Sequence, residues 1–448
     1  MLAEKEIALA RTAMKTALDS GASAVRVTLN KSVTDLVGML DGEVDKVTRS
    51  LDRSIQLVLF VDGRFGSFSS NRLDPVQLRE FIRRSVETVR MLEKDEFRSL
   101  PDPSRQQHGA KTGRELDLYD PAYETVTPDR RREIALSSSW WKRREALEKD
   151  FTVLSEEGEY SDSLFDSVVM DSGGFFARHT ETSFEIGYEV TVEDRSGNRF
   201  SGYWWDGSPR LESVLPAVGE CAPKAVLRAA GQIGPKPVPS GKYTLVVDRE
   251  CASRLVTPLL KALGGYAIQQ KNSFLLDAPG KKLFPDHLRI VDCPHEKGAT
   301  GSCLFDSEGV ATREQEIIGD GVLRQYFLNT YFARKLNMEP TTEDCTRVKV
   351  MPAGGVSTCG DLLRKVNDAI LVTGFNGGNS NSSTGDFSYG IEGFRVRDGQ
   401  IVHPVREMLI TGNFLTLWGN FLAAADDARP CTSRLIPTLA FGQVDFNA

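Results

Sequence analysis

Two cysteines and one histidine form the closest group of metal-binding side chains in the sequence, in the segment DCPHEKGATGSC. They are Cys293, His295 and Cys303. A structural zinc site needs four closely placed ligands, usually in paired short spacings, whereas this segment supplies three at loose spacing. The other histidines are scattered along the chain. The sequence therefore predicts no metal site, and it indicates no other cofactor.

Motifs for nucleophilic catalysis are also missing. There is no G-x-S-x-G motif, and the segment MDSGGF places Ser172 at a strand-turn junction with no helix behind it, which is typical of a turn serine. The one His-Glu dipeptide, His295-Glu296, lacks a second histidine one helical turn later, and the KGATG that follows does not predict a helix. We therefore assign no catalytic residue from these motifs.

A run rich in glycine, asparagine and serine, GFNGGNSNSSTGDFSYGIEGF, covers residues 374–394. It is not a phosphate-binding loop, because Gly385 is followed by Asp386 and not by Lys and then Ser or Thr. It is not a dinucleotide fingerprint either, because the residues after it alternate like a strand. Two interpretations stay open: a flexible connection between two sheet strands, or an edge that accepts an extended peptide, since glycine lets backbone approach backbone. The candidate peptide-binding or interface residues are Gly377, Gly378, Asn379, Gly385, Asp386, Ser388 and Tyr389.

The elements that must position these residues begin with a helix and an antiparallel meander. The N-terminal segment has apolar residues at helical spacing, and the segments after it alternate apolar and polar residues as strands do. Asp-Gly pairs at 41–42 and 62–63 indicate tight hairpins. An Asp-Pro pair at 74–75 and a Thr-Pro pair at 127–128 are typical of helix starts, and the second predicts a helix over 130–149. Further turn signals lie at 319–321, 376–378 and 397–399.

The pattern as a whole predicts an α+β protein of two lobes. Residues 231–242 are dense in proline and glycine and are predicted as a linker between an N-terminal lobe, 1–230, and a C-terminal lobe, 243–448. The first lobe is predicted as a helix plus antiparallel strands. The second is predicted as strand-rich with few helices, one of them capped by Asp248 and running to Ala262. A doubly wound sheet does not fit, because the strands occur in hairpin-linked groups.

Composition excludes several classes of protein. The 448 residues contain 55 Lys and Arg against 62 Asp and Glu, with no run of basic residues, so we expect no nucleic-acid partner. No uncharged apolar stretch is long enough to span a membrane, which needs about 18 residues or more. The N-terminus does not look like a signal peptide. Seven cysteines without close pairing fit a reducing compartment, and we expect a cytoplasmic protein.

Three segments, in their order along the chain, resemble the TldD/PmbA family. They are RSLDRSIQLVLFVDGRFGSFSSNRLD at 49–74, CLFDSEGVATREQEIIGDGVLRQYFLNTYFARKLN at 303–337, and STGDFSYGIEGFRVRDGQIVHPVREMLITGN at 383–413. The resemblance covers nearly the whole chain. It implies a two-lobed protein in which a TldD-type and a TldE-type (PmbA) subunit join as a cytoplasmic peptidase that acts on unfolded peptides. An older family label, modulator of DNA gyrase, describes a phenotype.

The resemblance also indicates the branch of the family. The TldD type resembles a metalloprotease with a His-Glu-x-x-x-His helix in its C-terminal lobe. The matching segment here, DRECASRLVTPLLKALGGYAIQQ at 248–270, contains no histidine, and Glu250 alone cannot hold zinc. Cys431 lies in a position broadly comparable to a cysteine of the metal-bearing relatives, and without histidines it is interpreted as a packed thiol. The chain therefore resembles the TldE/PmbA type, which has no metal motif of its own.

Three hypotheses for function follow from this resemblance. In the first, the chain binds or encloses an extended peptide while a TldD-type partner hydrolyses it. In the second, it is a stand-alone homodimeric peptide-binding or regulatory protein without peptidase activity. In the third, it is an active peptidase with an unrecognised nucleophile such as Ser172 or Cys431. In isolation we expect the chain to form a homodimer, and we expect no membrane partner.

Overall fold

The computed structural model describes residues 1–146 and 150–448, and in these residues the chain forms three β-sheets. The strands of the N-terminal sheet are β1 (Ala24–Leu40), β2 (Glu43–Val61), β3 (Arg64–Ser70), β4 (Phe151–Asp171), β5 (Phe176–Asp194) and β6 (Arg199–Ser208). Their spatial order is β3-β2-β1-β4-β5-β6, and every neighbouring pair is antiparallel. Long hairpins therefore make up this sheet.

Helices cover one face of the N-terminal sheet. They are α1 (Glu4–Asp19), α2 (Pro75–Arg90), α3 (Pro128–Ser138), α4 (Leu211–Val214) and α5 (Cys221–Ala230). Alternate residues of β1 from Val25 to Met39, apart from Lys31, are buried on this face. The apolar side chains of α1 and α2 pack at the Val25 end, and those of α3 and α5 pack at the Met39 end. The opposite face stays partly open, as is common for antiparallel sheets.

The C-terminal half contains the other two sheets. The larger one consists of β7 (Gly241–Val247), β12 (Ala369–Ser380), β13 (Asp386–Arg397), β14 (Gln400–Asn413), β15 (Phe421–Ala424) and β17 (Leu439–Asn447). Its order is β14-β13-β12-β7-β17-β15, and an additional pairing of β14 with β17 closes five of these strands into a ring. The smaller sheet consists of β8 (Ile290–Asp292), β9 (Gln315–Gly319), β10 (Val322–Leu323), β11 (Val348–Val350) and β16 (Arg434–Leu435).

Short helices pack around these two sheets, and most of them share one large apolar core with the sheets. They are α6 (Ser253–Lys261), α7 (Gly265–Gln269), α8 (Thr330–Leu336), α9 (Cys359–Val366) and α10 (Phe414–Gly419). Trp418 of α10 is fully buried in this core against Phe421 and Phe441. Of the helices in the described ranges, 1–146 and 150–448, none is long and apolar enough to cross a membrane. The predicted α+β class, with antiparallel strands first and a strand-rich second half, is confirmed.

Several local predictions are confirmed. The Asp74 side chain accepts hydrogen bonds from the N–H groups of Val76 and Gln77, and the Thr127 hydroxyl accepts one from Arg130, so both Asp-Pro and Thr-Pro pairs start helices. At the hairpin turns Asp41-Gly42 and Asp62-Gly63 all four residues have positive φ, as the predicted tight turns require. Short polar and glycine residues fix these features locally.

Two helix boundaries differ from the prediction. The helix predicted over 130–149 ends at Ser138, because the hydroxyl of Ser139 and the N–H of Trp140 both bond the Glu156 carboxylate on β4. A separate 3₁₀ segment follows, and positions 147–149 lie outside the described residues. Asp248 does not cap α6: its carboxylate accepts the N–H of Glu250 at 3.0 Å in a turn, and the helix begins only at Ser253.

Candidate functional site

A pocket of about 570 Å³ lies between helix α6 and the glycine-rich part of strand β12. Leu255, Val256, Leu259 and Leu260 turn one face of α6 into the core, which leaves its other face to the pocket. That face presents Arg254, Thr257, Pro258 and Lys261. The opposite wall is formed by Phe375, Gly378, Asn379, Ser380 and Tyr389. The pocket therefore lies between the histidine-free helix α6 and the strand that carries the candidate peptide-binding residues.

Strand β12 has a free edge along this pocket. On one side β12 pairs with β13 along most of its length, up to Ser380. On the other side it pairs with β7 only over Ile370–Val372, and no other strand of the described ranges continues that ladder. Side chains contact this edge instead: Arg228 Nη2 lies 3.3 Å from the Thr373 carbonyl oxygen, and Arg254 Nη2 lies 3.2 Å from that of Gly378. An unpaired edge of this kind can add an extended peptide as a further strand.

Glycine is required where β12 bulges. The register with β13 shifts between Phe375 and Gly378, and Gly377 and Gly378 have φ of 133° and 90°. A Cβ on Gly378 would lie 2.0 Å from the Ser388 carbonyl oxygen, so only glycine fits there. The turn predicted at 376–378 is therefore wrong: these residues form a bulge within a strand, and the hairpin turns later, at 381–385.

The seven candidate residues separate into two groups. Gly378, Asn379 and Tyr389 line the pocket, and the exposed Gly377 bulges beside them. Gly385, Asp386 and Ser388 belong to the hairpin outside the pocket lining. Asp386 accepts hydrogen bonds from Asn413 Nδ2 at 2.9 Å and Thr384 Oγ1 at 2.6 Å, and these bonds hold the pKa of its carboxyl below its usual value. The second group therefore shapes the hairpin.

Pocket residues that sequence reasoning missed come mainly from α6. Arg254 and Lys261 are exposed cations on the pocket face, and no acidic residue lines the pocket. The guanidinium carbon of Arg254 also lies 4.7 Å from the ring centre of Tyr389, a cation–π distance. The polar face of the amphipathic helix α6 could have indicated these residues from the sequence. Only the fold shows that this face lies opposite β12. The pocket is electropositive as a result.

The donor set of this pocket does not fit a catalytic zinc ion. Its lining offers hydroxyl, amide, aliphatic and cationic groups and one thiol, that of Cys251, whose pKa burial raises well above its usual value, whereas zinc in proteins takes imidazole, thiolate and carboxylate ligands. Glu250, which precedes α6, forms an ion pair with Arg429, whose Nη1 lies 2.8 Å from the Glu250 carboxylate. Within 1–146 and 150–448, no three His, Cys, Asp or Glu side chains converge to hold a metal ion.

The residues first considered for metal binding have other partners. His295 Nε2 lies 3.0 Å from the Thr312 hydroxyl, and the Cys303 thiol donates to the Phe305 carbonyl at 2.9 Å. Burial raises the pKa of the Cys303 thiol to about 11. Metal binding needs the thiolate, so this thiol is a poor ligand at neutral pH.

The two suggested nucleophiles are also engaged in packing. The Ser172 hydroxyl accepts the N–H of Val25 at 3.0 Å and ties the β4–β5 turn to β1. Cys431 is 7% exposed, and burial raises the pKa of its thiol to about 11, although the nearby Arg429 guanidinium acts in the opposite direction. A protonated, buried thiol is a weak nucleophile at neutral pH.

Comparison with known proteins identifies related sequences. A family model described as PmbA/TldA metallopeptidase C-terminal domain matches residues 240–448, and one described as PmbA/TldA metallopeptidase domain 1 matches residues 25–89. The chain is 29% identical to metalloprotease PmbA of Escherichia coli O157:H7 over 438 residues, which cover 95% of this chain and 94% of that protein.

Solved structures extend the likeness to the whole fold. The chain is similar to a Bacteroides thetaiotaomicron protein described as a candidate modulator of DNA gyrase, with a TM-score of 0.93, 38% identity and 100% of both chains covered. It also matches TldE from Thermococcus kodakarensis with a TM-score of 0.81, covering 98% of this chain and 100% of that one. At 17% identity this second match is a likeness of fold.

Proposed function

Because the chain belongs to the PmbA/TldD metallopeptidase family, we propose that it is a TldE/PmbA-type subunit that binds extended peptides for a TldD-type partner in the cytoplasm. The partner supplies the metal and hydrolyses the peptide bond. The observation that carries this proposal is the free edge of β12 beyond Val372, which opens into the pocket beside α6. The chain itself contributes binding and enclosure.

Main-chain pairing explains how such an edge would select unfolded substrates. An extended peptide beside 373–380 exchanges N–H and C=O hydrogen bonds with β12, and the bulge at Gly377 and Gly378 lets the two backbones approach closely. Phe375 and Tyr389 offer apolar contact to alternate side chains of the peptide. A folded protein has already paired its backbone groups, so it cannot bind in this way.

A cleavage assay with metal analysis tests the division of labour. The purified chain, a TldD-type subunit and their mixture are each given an unstructured peptide, and the metal content of each protein is measured. We expect cleavage in the mixture, none by this chain alone, and no stoichiometric transition metal in this chain. A tightly bound metal or cleavage by the chain alone contradicts the proposal. If mixing changes nothing while peptide still binds, the second hypothesis, a stand-alone homodimeric binding protein, replaces it.

Backbone-methylated peptides test the binding mode itself. Two versions of one peptide carry N-methyl groups on alternate amides, either on the odd or on the even residues, so that composition and charge are matched. Only one set of amides faces β12 in an added strand, because N–H directions alternate along a strand. We expect one version to lose binding and the other to keep it. Equal binding of both versions rules out strand addition.

A further inference from the structure

The outer edge of β2 is unpaired over twelve residues. β2 pairs with β1 from Glu43 onward, but β3 pairs with it only over Ile55–Val61. Along 43–54 the outer side of β2 therefore has no strand partner among the described residues. A long open edge is a template for pairing with another chain, and natural proteins usually cover or distort it.

Exposed apolar side chains accompany this edge. Val47 and Leu51 are 70% and 54% exposed, whereas their neighbours across the ladder on β1, Val37 and Val33, are 3% and 8% exposed. All four lie on the helix-covered face of the sheet, because Val33 and Val37 belong to the buried residues of β1. Val47 and Leu51 thus continue the apolar residues of this face onto β2 without cover, with Arg49 between them. A neighbouring strand would extend the core there.

Antiparallel geometry restricts how this edge could pair with a second copy of itself. Opposed residues in an antiparallel ladder either both point their N–H and C=O groups at each other or both point them away. This direction alternates along β2, so the numbers of two opposed residues must add up to an even number. Only registers that are centred on a residue, and not between two residues, are allowed.

The register centred on Arg49 is complementary along the edge. It places Asp45 opposite Arg53, Lys46 opposite Asp52, Val47 opposite Leu51 and Thr48 opposite Ser50. Opposite charges, apolar pairs and hydroxyl pairs that face each other all stabilise sheets. The adjacent register centred on Thr48 places Asp45 opposite Leu51, and the one centred on Ser50 places Val47 opposite Arg53. Charged residues on an edge usually prevent it from pairing with another chain, but here they favour pairing in the register centred on Arg49.

The two Arg49 residues that meet at the centre already have a counter-ion. Arg49 Nη1 lies 3.5 Å from the Asp35 carboxylate on the neighbouring strand β1. Asp35 is buried, and its other oxygen lies 3.3 Å from Nη2 of Arg131, which also pairs with Asp162. The carboxylate, although shared with Arg131, therefore offsets part of the repulsion between the two Arg49 guanidinium groups.

We propose that β2 pairs antiparallel with β2 of a second copy of this chain, about a two-fold axis at Arg49, and joins two six-stranded sheets into one. This interface goes beyond the proposed function and does not depend on it. The chain then carries its self-association surface on β2 of the N-terminal sheet, away from the peptide-binding edge on β12.

Disulfide trapping tests the register in the full-length chain. The double variant V47C/L51C places each new cysteine opposite its counterpart on the second copy, where strand spacing of about 5 Å allows a disulfide. In the single variants V47C and L51C, the two identical cysteines lie about 13 Å apart along the strands, too far to bond. We expect covalent dimers from the double variant only. Equal cross-linking of the single variants contradicts the register.

Charge exchange tests the interface without covalent bonds. V47E/L51E and V47K/L51K each put like charges opposite one another, so each variant alone should dissociate at concentrations where the parent is dimeric by light scattering. Their mixture should recover the dimer, because each pair is then of opposite sign. The matched control, I401E/V402E, alters two residues of similar exposure (52% and 55%) in the C-terminal half and should stay dimeric.

Two results would overturn the proposal. One is a parent chain that stays monomeric at all accessible concentrations. The other is a dimer that the glutamate variant leaves intact while circular dichroism shows the same fold. If the parent is monomeric and V47E/L51E loses binding to a TldD-type subunit, the edge belongs to that partner and not to a second copy.

Discussion

Arg254 Nη2 donates a hydrogen bond to the carbonyl oxygen of Gly378 over 3.2 Å, which ties helix α6 to the free edge of β12. Without this contact, a peptide N–H would be the natural partner of that carbonyl in an added strand. In the free protein Arg254 therefore occupies a hydrogen-bond acceptor of this edge and places a positive charge beside it. Its charge has a consequence for the peptides that bind.

Peptides with acidic side chains should bind this pocket more tightly than neutral ones. Arg254 and Lys261 line it without an opposing carboxylate, and exposed charge pairs are worth about 0.2–1 kcal/mol each. We expect R254Q and K261Q each to weaken the binding of an acidic peptide by up to about fivefold relative to that of a neutral peptide of equal length, as measured by fluorescence anisotropy. Added salt should reduce the preference in the parent. The control is K281Q, because Lys281 is exposed and lies outside the pocket. An equal loss of affinity for the acidic and the neutral peptide would contradict a charge effect.

In the bulge of β12, a side chain at Gly378 should destabilise the fold more than one at Gly377. Both Gly377 and Gly378 have positive φ, so alanine at either costs about 1–3 kcal/mol of backbone strain. At Gly378 the methyl group also meets the Ser388 carbonyl oxygen, whereas at Gly377 no atom lies within 4 Å. We expect G378A to lower the free energy of unfolding by about 1–3 kcal/mol more than G377A. Urea denaturation measures both, and equal losses would show that the β12–β13 approach is looser than described.

Breaking the ion pair of Arg429 and Glu250 should destabilise the junction of the two halves of the chain. The side chains are 9% and 15% exposed, and Arg429 also donates to the Trp205 carbonyl and lies over the rings of Trp204 and Trp205. R429M leaves the buried Glu250 carboxylate with Arg249, whose Nε lies 3.7 Å away, as its remaining cation, so we expect a loss of up to about 3–5 kcal/mol in the free energy of unfolding. The double variant E250Q/R429M should recover part of this loss. Purely additive losses in a double-mutant cycle would mean that the two groups do not interact.

The contribution of Asp306 to the stability of the fold should fall as the pH rises through the titration of this residue. Burial raises the pKa of its carboxyl from 3.8 to about 6, although backbone N–H groups, including that of Glu343, act to lower it. Between pH 4 and 6 the folded chain thus holds a proton that the unfolded chain has released. Raising the pH over this window therefore lowers the contribution of Asp306 to the free energy of unfolding by up to about 3 kcal/mol.

Denaturation at several pH values checks the sign of this effect. D306N has no titrating group at this position, so its unfolding free energy should lack that part of the decrease between pH 4 and 6. D386N is the control, because the pKa of the exposed Asp386 is lowered, and its removal should leave the decrease in place. An identical slope in D306N and the parent would assign the titration to other groups.

Local chemistry in the sequence was sufficient for several elements. Asp74 and Thr127 start helices because their side chains bond the first N–H groups of the helix, a contact within three residues. The Asp-Gly turns form because two adjacent residues adopt positive φ. The absence of imidazole from the α6 segment is likewise a property of the sequence alone, and it decides against a zinc site at that helix.

The role of the glycine-rich run could not be read in the same way. Positive φ at Gly377 and Gly378 fits a tight turn and a strand bulge equally well, and the choice depends on Tyr389, which pairs with Gly378 from another strand. The same holds for Ser139, where the Glu156 carboxylate of β4 interrupts a helix that local periodicity favoured.

By itself the sequence determined the class of fold, the two Asp-Gly turns, the helix starts at Asp74 and Thr127, the family and the lack of histidine in the α6 segment, because each depends on residue type or on neighbours along the chain. The tertiary structure alone decided that Arg254 bonds the Gly378 carbonyl, that Arg429 pairs with Glu250, and that β2 has an unpaired edge. These contacts join residues far apart in sequence. Their formation depends on which strands pair and where that pairing stops, and no local pattern encodes it.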